Sequence, residues 1–93
     1  MTGENTTVAR DLEARIGAEI RRQRKRRDMT VASLADAAGL SQGMLSKIET
    51  GQTSASLATL SRLAEALTVP LSALFSATEQ SSDVSFVPAG EGI

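Results

Sequence analysis

The sequence predicts an all-α fold: one domain of five short helices, followed by a short extended tail. Apolar residues recur at helical spacing in successive segments, which is typical of helices that bury one face. Glycine and proline separate these segments where helices are expected to end or begin. The chain has 93 residues and contains no Trp, Tyr, His or Cys, so aliphatic side chains must fill most of a single core.

The first helix is predicted to begin near Val8, after a disordered arm over residues 1–7, and to end near Arg27 or Asp28. Its apolar residues recur at every fourth position and form one stripe of an amphipathic helix: Val8, Leu12, Ile16 and Ile20. The domain that this helix opens is expected to extend to residue 76.

A charged residue interrupts this stripe, since Arg24 takes the next position in the row. An unpaired charge in a core is very costly, so Arg24 needs a buried partner. Glu49 is the natural candidate, because it follows Leu45 and Ile48 at the end of a later helix. A structural ion pair between Arg24 and Glu49 is therefore predicted. The alternative is that both residues lie on the surface and never meet.

The segment from Thr30 to Gly51 predicts two short helices joined by a tight turn at Gly39. Glycine ends a helix in the left-handed conformation without steric cost. The helices are expected over residues 31–38, capped by Thr30, and over residues 42–50, capped by Ser41. A helix, a short turn and a capped second helix place the second helix in the major groove of DNA. The pattern predicts sequence-specific DNA binding.

Two further helices are predicted after this motif. Ser56 is the expected cap of the fourth, whose inward-facing residues would be Leu57, Leu60, Leu63, Ala64 and Leu67. Pro70 suits the first turn of a fifth helix over residues 70–75, because the N–H that proline lacks is not needed there. Three residues of this helix are then expected to close the core: Leu71, Leu74 and Phe75.

Residues 77–93 differ in composition from the helical part. They are polar up to Asp83 and then alternate weakly, with Pro and Gly, as a lone strand and a turn would. A single strand is not stable alone. The segment is therefore predicted to be a flexible tail, a segment that packs on a dimer partner, or a linker and the first strand of a second domain.

Composition excludes several classes of function. Without Cys or His there is no disulfide, and the commonest general base and the usual zinc ligand are missing. No phosphate-binding loop and no recognisable pair of catalytic carboxylates is present, so no enzyme, metal or cofactor is predicted. The N-terminus lacks a signal peptide, and no apolar run approaches the ~18 residues of a membrane span, which predicts a soluble cytoplasmic protein.

The net charge of −1 argues at first against a nucleic-acid partner. Six of the ten basic residues, however, lie between Arg21 and Arg27, and a local cluster rather than the total charge binds phosphate. The alternative is a solvated helix end, where cations also favour the helix dipole. The neighbouring helix-turn-helix pattern favours phosphate contact.

The segment from Thr30 to Gly51 resembles the helix-turn-helix of the Cro/repressor-like (Xre) family of bacterial and phage regulators. The family pattern runs roughly L-T-Q-x-x-L-A-x-x-x-G-[LV]-S-x-x-x-[IL]-S-x-[IL]-E-x-G. This chain supplies in one register Thr30, Leu34, Ala35, Gly39, Leu40, Ser41, Leu45, Ser46, Ile48, Glu49 and Gly51. The likeness extends from Ile16 to Phe75. Val31 departs from it, because the family often has a phosphate-binding glutamine at that position.

The resemblance implies a five-helix lambda-repressor-like domain in a transcriptional regulator, which is expected to be a repressor, with activation as the open alternative. It also pairs the positions of Arg24 and Glu49. Several family members carry a C-terminal cupin barrel that senses a small ligand, and residues 86–93 resemble the entry to such a barrel. Residues 77–93 are thus expected to begin a truncated sensor domain, and any small-molecule effector would bind outside this chain.

By position in the family pattern, base contacts are expected from Ser41, Gln42, Gly43 and Lys47, with Met44 and Ser46 at the margin. Helical geometry supports this choice, because Leu45 and Ile48 face the core and leave residues 42, 43, 46, 47 and 50 on the opposite face. Gln42 can pair with adenine and Lys47 with guanine. Gly43 either lets the backbone approach the groove or is simply tolerated near a helix end. Met44 is expected to be partly buried.

Phosphate contacts are expected from residues near the helix N-termini, from the loop after the second helix of the motif, and from part of the basic cluster. The residues are Thr30, Arg21, Lys25, Thr50, Gln52, Thr53 and Ser54.

One such domain reads too few base pairs for useful specificity, so a homodimer on a palindromic operator is predicted. The candidate interface is the fifth helix with the tail: Leu71, Leu74, Phe75, Val84, Phe86 and Val87. Alternatively, these residues only complete the monomer core and a missing domain dimerises.

Two other functions are compatible with the sequence. An antitoxin of a toxin–antitoxin pair uses a similar domain, but the tail here is short for capturing a toxin. A protein-interaction module could use the helix-turn-helix face without DNA, although Gln42, Lys47 and the basic cluster disfavour it. A DNA-bound regulator would be associated with the nucleoid.

Overall fold

The computed structural model describes residues 2–75, with side chains from residue 11 onward. Within this range the chain forms four α-helices and a closing 3-10 helix, and no strand. The helices are α1 (Thr2–Arg26), α2 (Val31–Ala38), α3 (Gln42–Glu49) and α4 (Leu57–Leu67), followed by the 3-10 helix Leu71–Phe75. Residues 77–93, and with them the predicted linker, strand and cupin-like segment, lie outside the described residues.

The first helix is longer than the apolar stripe predicts. It begins at Thr2 rather than near Val8, so residues 2–7 are helical where the sequence predicted a disordered arm. Apolar periodicity marks only the turns that pack on a core. An existing helix can extend beyond those turns, because each added residue forms one further hydrogen bond. The pattern therefore located the packed part of α1 and not its start.

The predicted fifth helix is a 3-10 helix, so the α-helical count is four within the described residues. The amide of Ala73 donates to the carbonyl of Pro70 at 2.9 Å, which is the i to i+3 bond of a tighter turn. A five-residue segment closes a turn more readily with such bonds than with the longer α-helical ring.

All four α-helices end with the same pair of backbone hydrogen bonds. After α2, the amide of Leu40 donates to Ala35 and that of Gly39 to Asp36, while Gly39 has a φ of 73°. This is the Schellman arrangement, which satisfies carbonyls at a helix end. The left-handed residue after the other helices is Asp28, Gly51 or Thr68, with φ values of 54°, 76° and 57°. The chain thus turns sharply after each helix and keeps the connections short.

The core is aliphatic, as predicted. Its buried residues are Ile20, Leu34, Ala35, Ala38, Leu45, Ile48, Leu60, Leu63, Ala64, Leu67 and Leu74. Leu71 and Phe75 are partly buried against this cluster. Leu57, which was predicted to face inward, is 63% exposed. It is the first residue of α4, where correct helical spacing does not guarantee a neighbouring element to pack against.

A buried ion pair joins α1 to the end of α3. Arg24 donates from Nε to Oε2 of Glu49 at 2.8 Å and from Nη2 to Oε1 at 3.0 Å, while its Nη1 donates to the carbonyl of Met29 at 2.9 Å. The two residues are only 8% and 7% exposed. The hydrogen bond to Glu49 raises the pKa of Arg24 above its ordinary value, against the opposing effect of burial. The structure thus brings together the two residues paired in the sequence analysis.

The same junction depends on close backbone contact. A β-carbon placed at Gly17 would overlap the carbonyl oxygen of Ile48 and lie 2.9 Å from that of Glu49. A β-carbon at Gly51 would lie 3.0 Å from Cα of Ala14. Because backbone atoms occupy both positions, α1 can approach the end of α3 this closely only without those side chains.

We expect Gly17→Ala to destabilise the domain by about 1–3 kcal/mol, because an added methyl group would force the helices apart. Gly43→Ala is the matched control, since no atom lies within 4 Å of a β-carbon there. That control should gain up to about 1 kcal/mol from helix propensity. Urea unfolding of both variants measures the difference, and a Gly17→Ala protein as stable as the wild type would contradict the close contact.

For the ion pair, we expect Glu49→Leu and Arg24→Met each to cost about 3–5 kcal/mol, because each leaves the opposite charge buried without its partner. The double variant should be clearly more stable than either single variant, since no charge is stranded. The free energies of unfolding of the four proteins form the thermodynamic cycle. If the losses in free energy of unfolding of the two single variants simply add up in the double variant, the two residues are not coupled.

Candidate nucleic-acid interface

Local hydrogen bonds define both helices of the motif at their N-termini. Thr30 caps α2, where its Oγ1 accepts from the amide of Ser33 at 3.0 Å and Ser33 Oγ accepts from the amide of Thr30 at 3.1 Å. Ser41 caps α3, where its Oγ accepts from the amide of Met44 at 3.0 Å. Such side-chain acceptors satisfy amides that a helix leaves unpaired. The first turn of α3 is therefore well defined.

The turn and the core fix how α3 lies against α2. The left-handed Gly39 separates the two helices by a short connection, and the inward residues of both helices are buried in one core. In α2 these are Leu34, Ala35 and Ala38, and in α3 Leu45, Ile48 and Glu49. The opposite face of α3 is left at the surface.

The five residues predicted to contact bases all lie on this exposed side of the motif: Ser41, Gln42, Gly43, Ser46 and Lys47. The side chains of Gln42, Ser46 and Lys47 make no hydrogen bond or ion pair with any other residue of the described chain. Ser41 uses its oxygen as a cap acceptor, which leaves its hydroxyl proton available. A face of this kind can offer amide, hydroxyl and ammonium groups to a ligand.

Two positions within this face are informative about what the fold needs. Gly43 has open space around it, so no protein contact explains the absence of a side chain. Met44 was expected to be partly buried, but it is 44% exposed. The first turn of α3 therefore presents one large apolar side chain beside a residue with no side chain.

The residues predicted to contact phosphate divide into two groups. Thr50 donates its hydroxyl to the carbonyl of Ser46 at 2.9 Å and accepts from Gln52 Nε2 at 3.0 Å, so both side chains already have partners within the protein. The hydroxyl groups of Thr30, Thr53 and Ser54 have no acceptor among the described residues. Thr53 is half-buried, whereas the other two are exposed.

The basic cluster is divided between internal contacts and the solvent. Glu19, only 5% exposed, accepts from Arg22 Nη2 at 3.0 Å and from Gln23 Nε2 at 2.8 Å. Arg27 Nη1 in turn donates to Gln23 Oε1 at 2.8 Å, while Arg24 is held by Glu49. Sequence reasoning missed the role of Glu19, although its spacing of three residues from Arg22 is that of a helical ion pair.

Three exposed cations of the cluster have no partner in the described part of the chain: Arg21, Lys25 and Arg26. Two of them lie on the side of α1 that faces the end of α3. Ala14 contacts Gly51 there. Successive residues of an α-helix are rotated by about 100° around its axis, so Arg21 and Lys25 lie within roughly 20° of the direction of Ala14. Arg26 is rotated by about 120° from that row. Arg21 and Lys25 thus extend along the side of α1 that contacts the loop after α3.

A shallow pocket beside this loop, between Ile16, Thr53 and Leu60, has Glu13 as its one titratable residue. No group of three or more acidic, His or Cys residues within the described chain has an arrangement that could hold a metal ion. None of the described helices combines the length and apolar character needed to cross a bilayer. The exposed face of α3, with the adjacent cations of α1, is the strongest candidate site.

Comparison with solved structures gives matches across the described domain. An HTH_3 family transcriptional regulator from Vibrio cholerae is 30% identical with a TM-score of 0.72, and the match covers 78% of this chain and 41% of that one. The restriction-modification controller protein C.AhdI from Aeromonas hydrophila is 31% identical with a TM-score of 0.67, over 70% of this chain and 97% of that one. The clp gene regulator ClgR from C. glutamicum is 28% identical with a TM-score of 0.71, over 75% and 91%.

This chain therefore spans about two fifths of the Vibrio cholerae regulator and nearly all of the other two proteins. A comparison with curated proteins finds no match. The family model HTH_3, described as helix-turn-helix, matches residues 20–74, which include all of α2, α3 and α4. With more than half of its length matched, the chain belongs to the HTH_3 helix-turn-helix family.

Proposed function

We propose that this protein is a transcriptional regulator that binds double-stranded DNA in a sequence-specific manner, with α3 in the major groove. The observation that carries the proposal is the exposed face of α3. On this face the side chains of Gln42, Ser46 and Lys47 have no partner among the described residues, while caps and core hold the helix in place. The three similar structures are all of proteins described as regulators or controllers.

The proposed reading groups differ in chemistry. The amide of Gln42 both donates and accepts, which matches the N6 and N7 groups of adenine, and the ammonium of Lys47 matches the O6 and N7 acceptors of guanine. Ser41 and Ser46 add hydroxyl groups that fit either kind of base. Gly43 would let the backbone of α3 approach base edges closely, an explanation supported by the open space around it.

Phosphate contacts would hold the domain in register on DNA. The capped N-termini of α2 and α3 offer partial positive charge, and the hydroxyl groups of Thr30, Thr53 and Ser54 donate to no acceptor within the described part of the chain. Arg21 and Lys25 would extend this surface along α1. Thr50 and Gln52 are weaker candidates than the sequence suggested, because their side chains bond to each other; their backbone groups could still contribute.

The finer parts of the proposal concern assembly and regulation. One short helix reads few base pairs, so the repressor would act as a homodimer on a palindromic operator. The two copies of α3 would then lie about 34 Å apart. An effector would bind to a C-terminal cupin-like domain located after residue 76. A protein with these properties would act on the nucleoid in the cytoplasm.

Selection from a random duplex library tests the proposal directly. We expect a palindromic consensus, with Gln42→Ala and Lys47→Ala each losing about 1–3 kcal/mol of discrimination at their own base pairs. Ser61→Ala, an exposed change on α4, is the control and should leave the consensus and affinity unchanged. Binding without any consensus would refute sequence reading, and a single non-repeated half-site would refute the dimer.

The division of the basic cluster gives a second prediction. Arg21→Gln and Lys25→Gln should weaken binding to all sequences alike and reduce the slope of log K against log salt by about 0.9 each. Arg22→Gln is the matched control, since Arg22 is bound to Glu19 and should change the slope less. Binding titrations at several salt concentrations measure these slopes. An equal change for all three variants would show that the cluster acts only through its total charge.

A further inference from the structure

Met44 is the one residue of the candidate interface with a large apolar side chain, so hydrogen bonding to DNA does not account for it. Among the described residues, three large hydrophobic side chains are exposed: Leu12, Met44 and Leu57. Only Met44 belongs to α3. Single exposed apolar residues are common on protein surfaces and need no explanation by themselves. The position and surroundings of Met44 are what distinguish it.

The fold uses the backbone of Met44 and not its side chain. The amide of Met44 donates to Ser41 Oγ at 3.0 Å and so completes the cap of α3. Its side chain, in contrast, lies outside the buried core cluster, and the adjacent Leu45 supplies the buried contact of this turn. Replacement of the Met44 side chain should therefore leave the folded domain intact.

Helix geometry directs this side chain toward the end of α3 that would enter the groove. Long side chains on an α-helix lean toward the N-terminus and cover the surface of the preceding turn. For Met44 that turn begins at Ser41. Gly43 carries no side chain, and nothing lies within 4 Å of where its β-carbon would be. The side chain of Met44 is thus the large exposed apolar group on the first turn of α3.

The major groove offers one apolar group among its hydrogen-bonding edges, which is the C5-methyl of thymine. A methionine side chain has no strong hydrogen-bonding group, but it is flexible and polarizable, so it gains most from apolar contact. The other proposed reading residues, Ser41, Gln42, Ser46 and Lys47, are polar or charged. Met44, exposed at the edge of this face, is therefore the residue suited to the thymine methyl.

We propose that Met44 is a specificity-determining residue that recognises thymine through its C5-methyl group. The inference rests on the proposed function, since it requires α3 to lie in the major groove. It assigns each half-site at least one position where thymine is preferred over cytosine and over uracil.

The experiment replaces the thymines of the selected duplex one at a time by deoxyuridine, which removes only the methyl group and keeps base pairing. With the wild-type protein, one such change per half-site should weaken binding about fourfold, the effect of losing one buried methyl contact. With Met44→Ala the same change should have no effect, whereas Met44→Leu should retain at least part of the sensitivity. Leu57→Ala is the matched control at an exposed apolar residue outside the interface and should behave as wild type.

The outcomes separate this inference from the proposed function. A clear consensus in which deoxyuridine has no effect, or the same effect on wild type and Met44→Ala, would overturn the role of Met44 and leave DNA reading by α3 standing. No consensus at all would refute both. Thermal unfolding of Met44→Ala close to that of the wild type would confirm that a change in binding does not come from misfolding.

Discussion

Arg24 and Glu49 join α1 to the last turn of α3 through two charge-assisted hydrogen bonds at a buried site, while Gly17 lets the two backbones approach nearby. A buried ion pair repays its desolvation only when its geometry is good and its remaining groups are satisfied. Here a third donor of Arg24 binds the carbonyl of Met29 just before α2. One guanidinium group of α1 therefore binds both the end of α3 and the residue before the cap of α2, and we expect the orientation of the exposed face of α3 to depend on it.

The surface chemistry follows from how the basic residues are shared. Glu19 and Gln23 hold Arg22 and Arg27 along the side of α1, and Glu49 holds Arg24. Arg21 and Lys25 have no partner within residues 11–75 and lie in the row of α1 that contacts the loop after α3. A net charge of −1 is thus compatible with a local positive edge, because unpaired cations lie together on one side of α1 while Arg22 and Arg24 are paired with Glu19 and Glu49 in the described part of the chain.

Short helices such as α2 and α3 are not stable alone, and eight residues are well below the length at which isolated helices persist. Their stability comes from side-chain caps at one end, Schellman turns at the other and a shared aliphatic core. The outward-facing side chains of α3 are therefore not needed to stabilise the helix. The side chains at positions such as Gln42, Gly43, Met44 and Lys47 can then be suited to a ligand without a loss of fold stability.

The sequence by itself determined the elements that depend on neighbouring residues: the boundaries of α2, the caps Thr30, Ser41 and Ser56, and the left-handed turn at Gly39. It also indicated the partner of Arg24, because a charge within an apolar row demands one. Only the tertiary structure decided that residues 2–7 are helical, that residues 71–75 form a 3-10 helix, and that Leu57 and Met44 are exposed. Caps and turns are local hydrogen-bond problems, whereas burial and charge pairing depend on which distant side chains arrive at the same place.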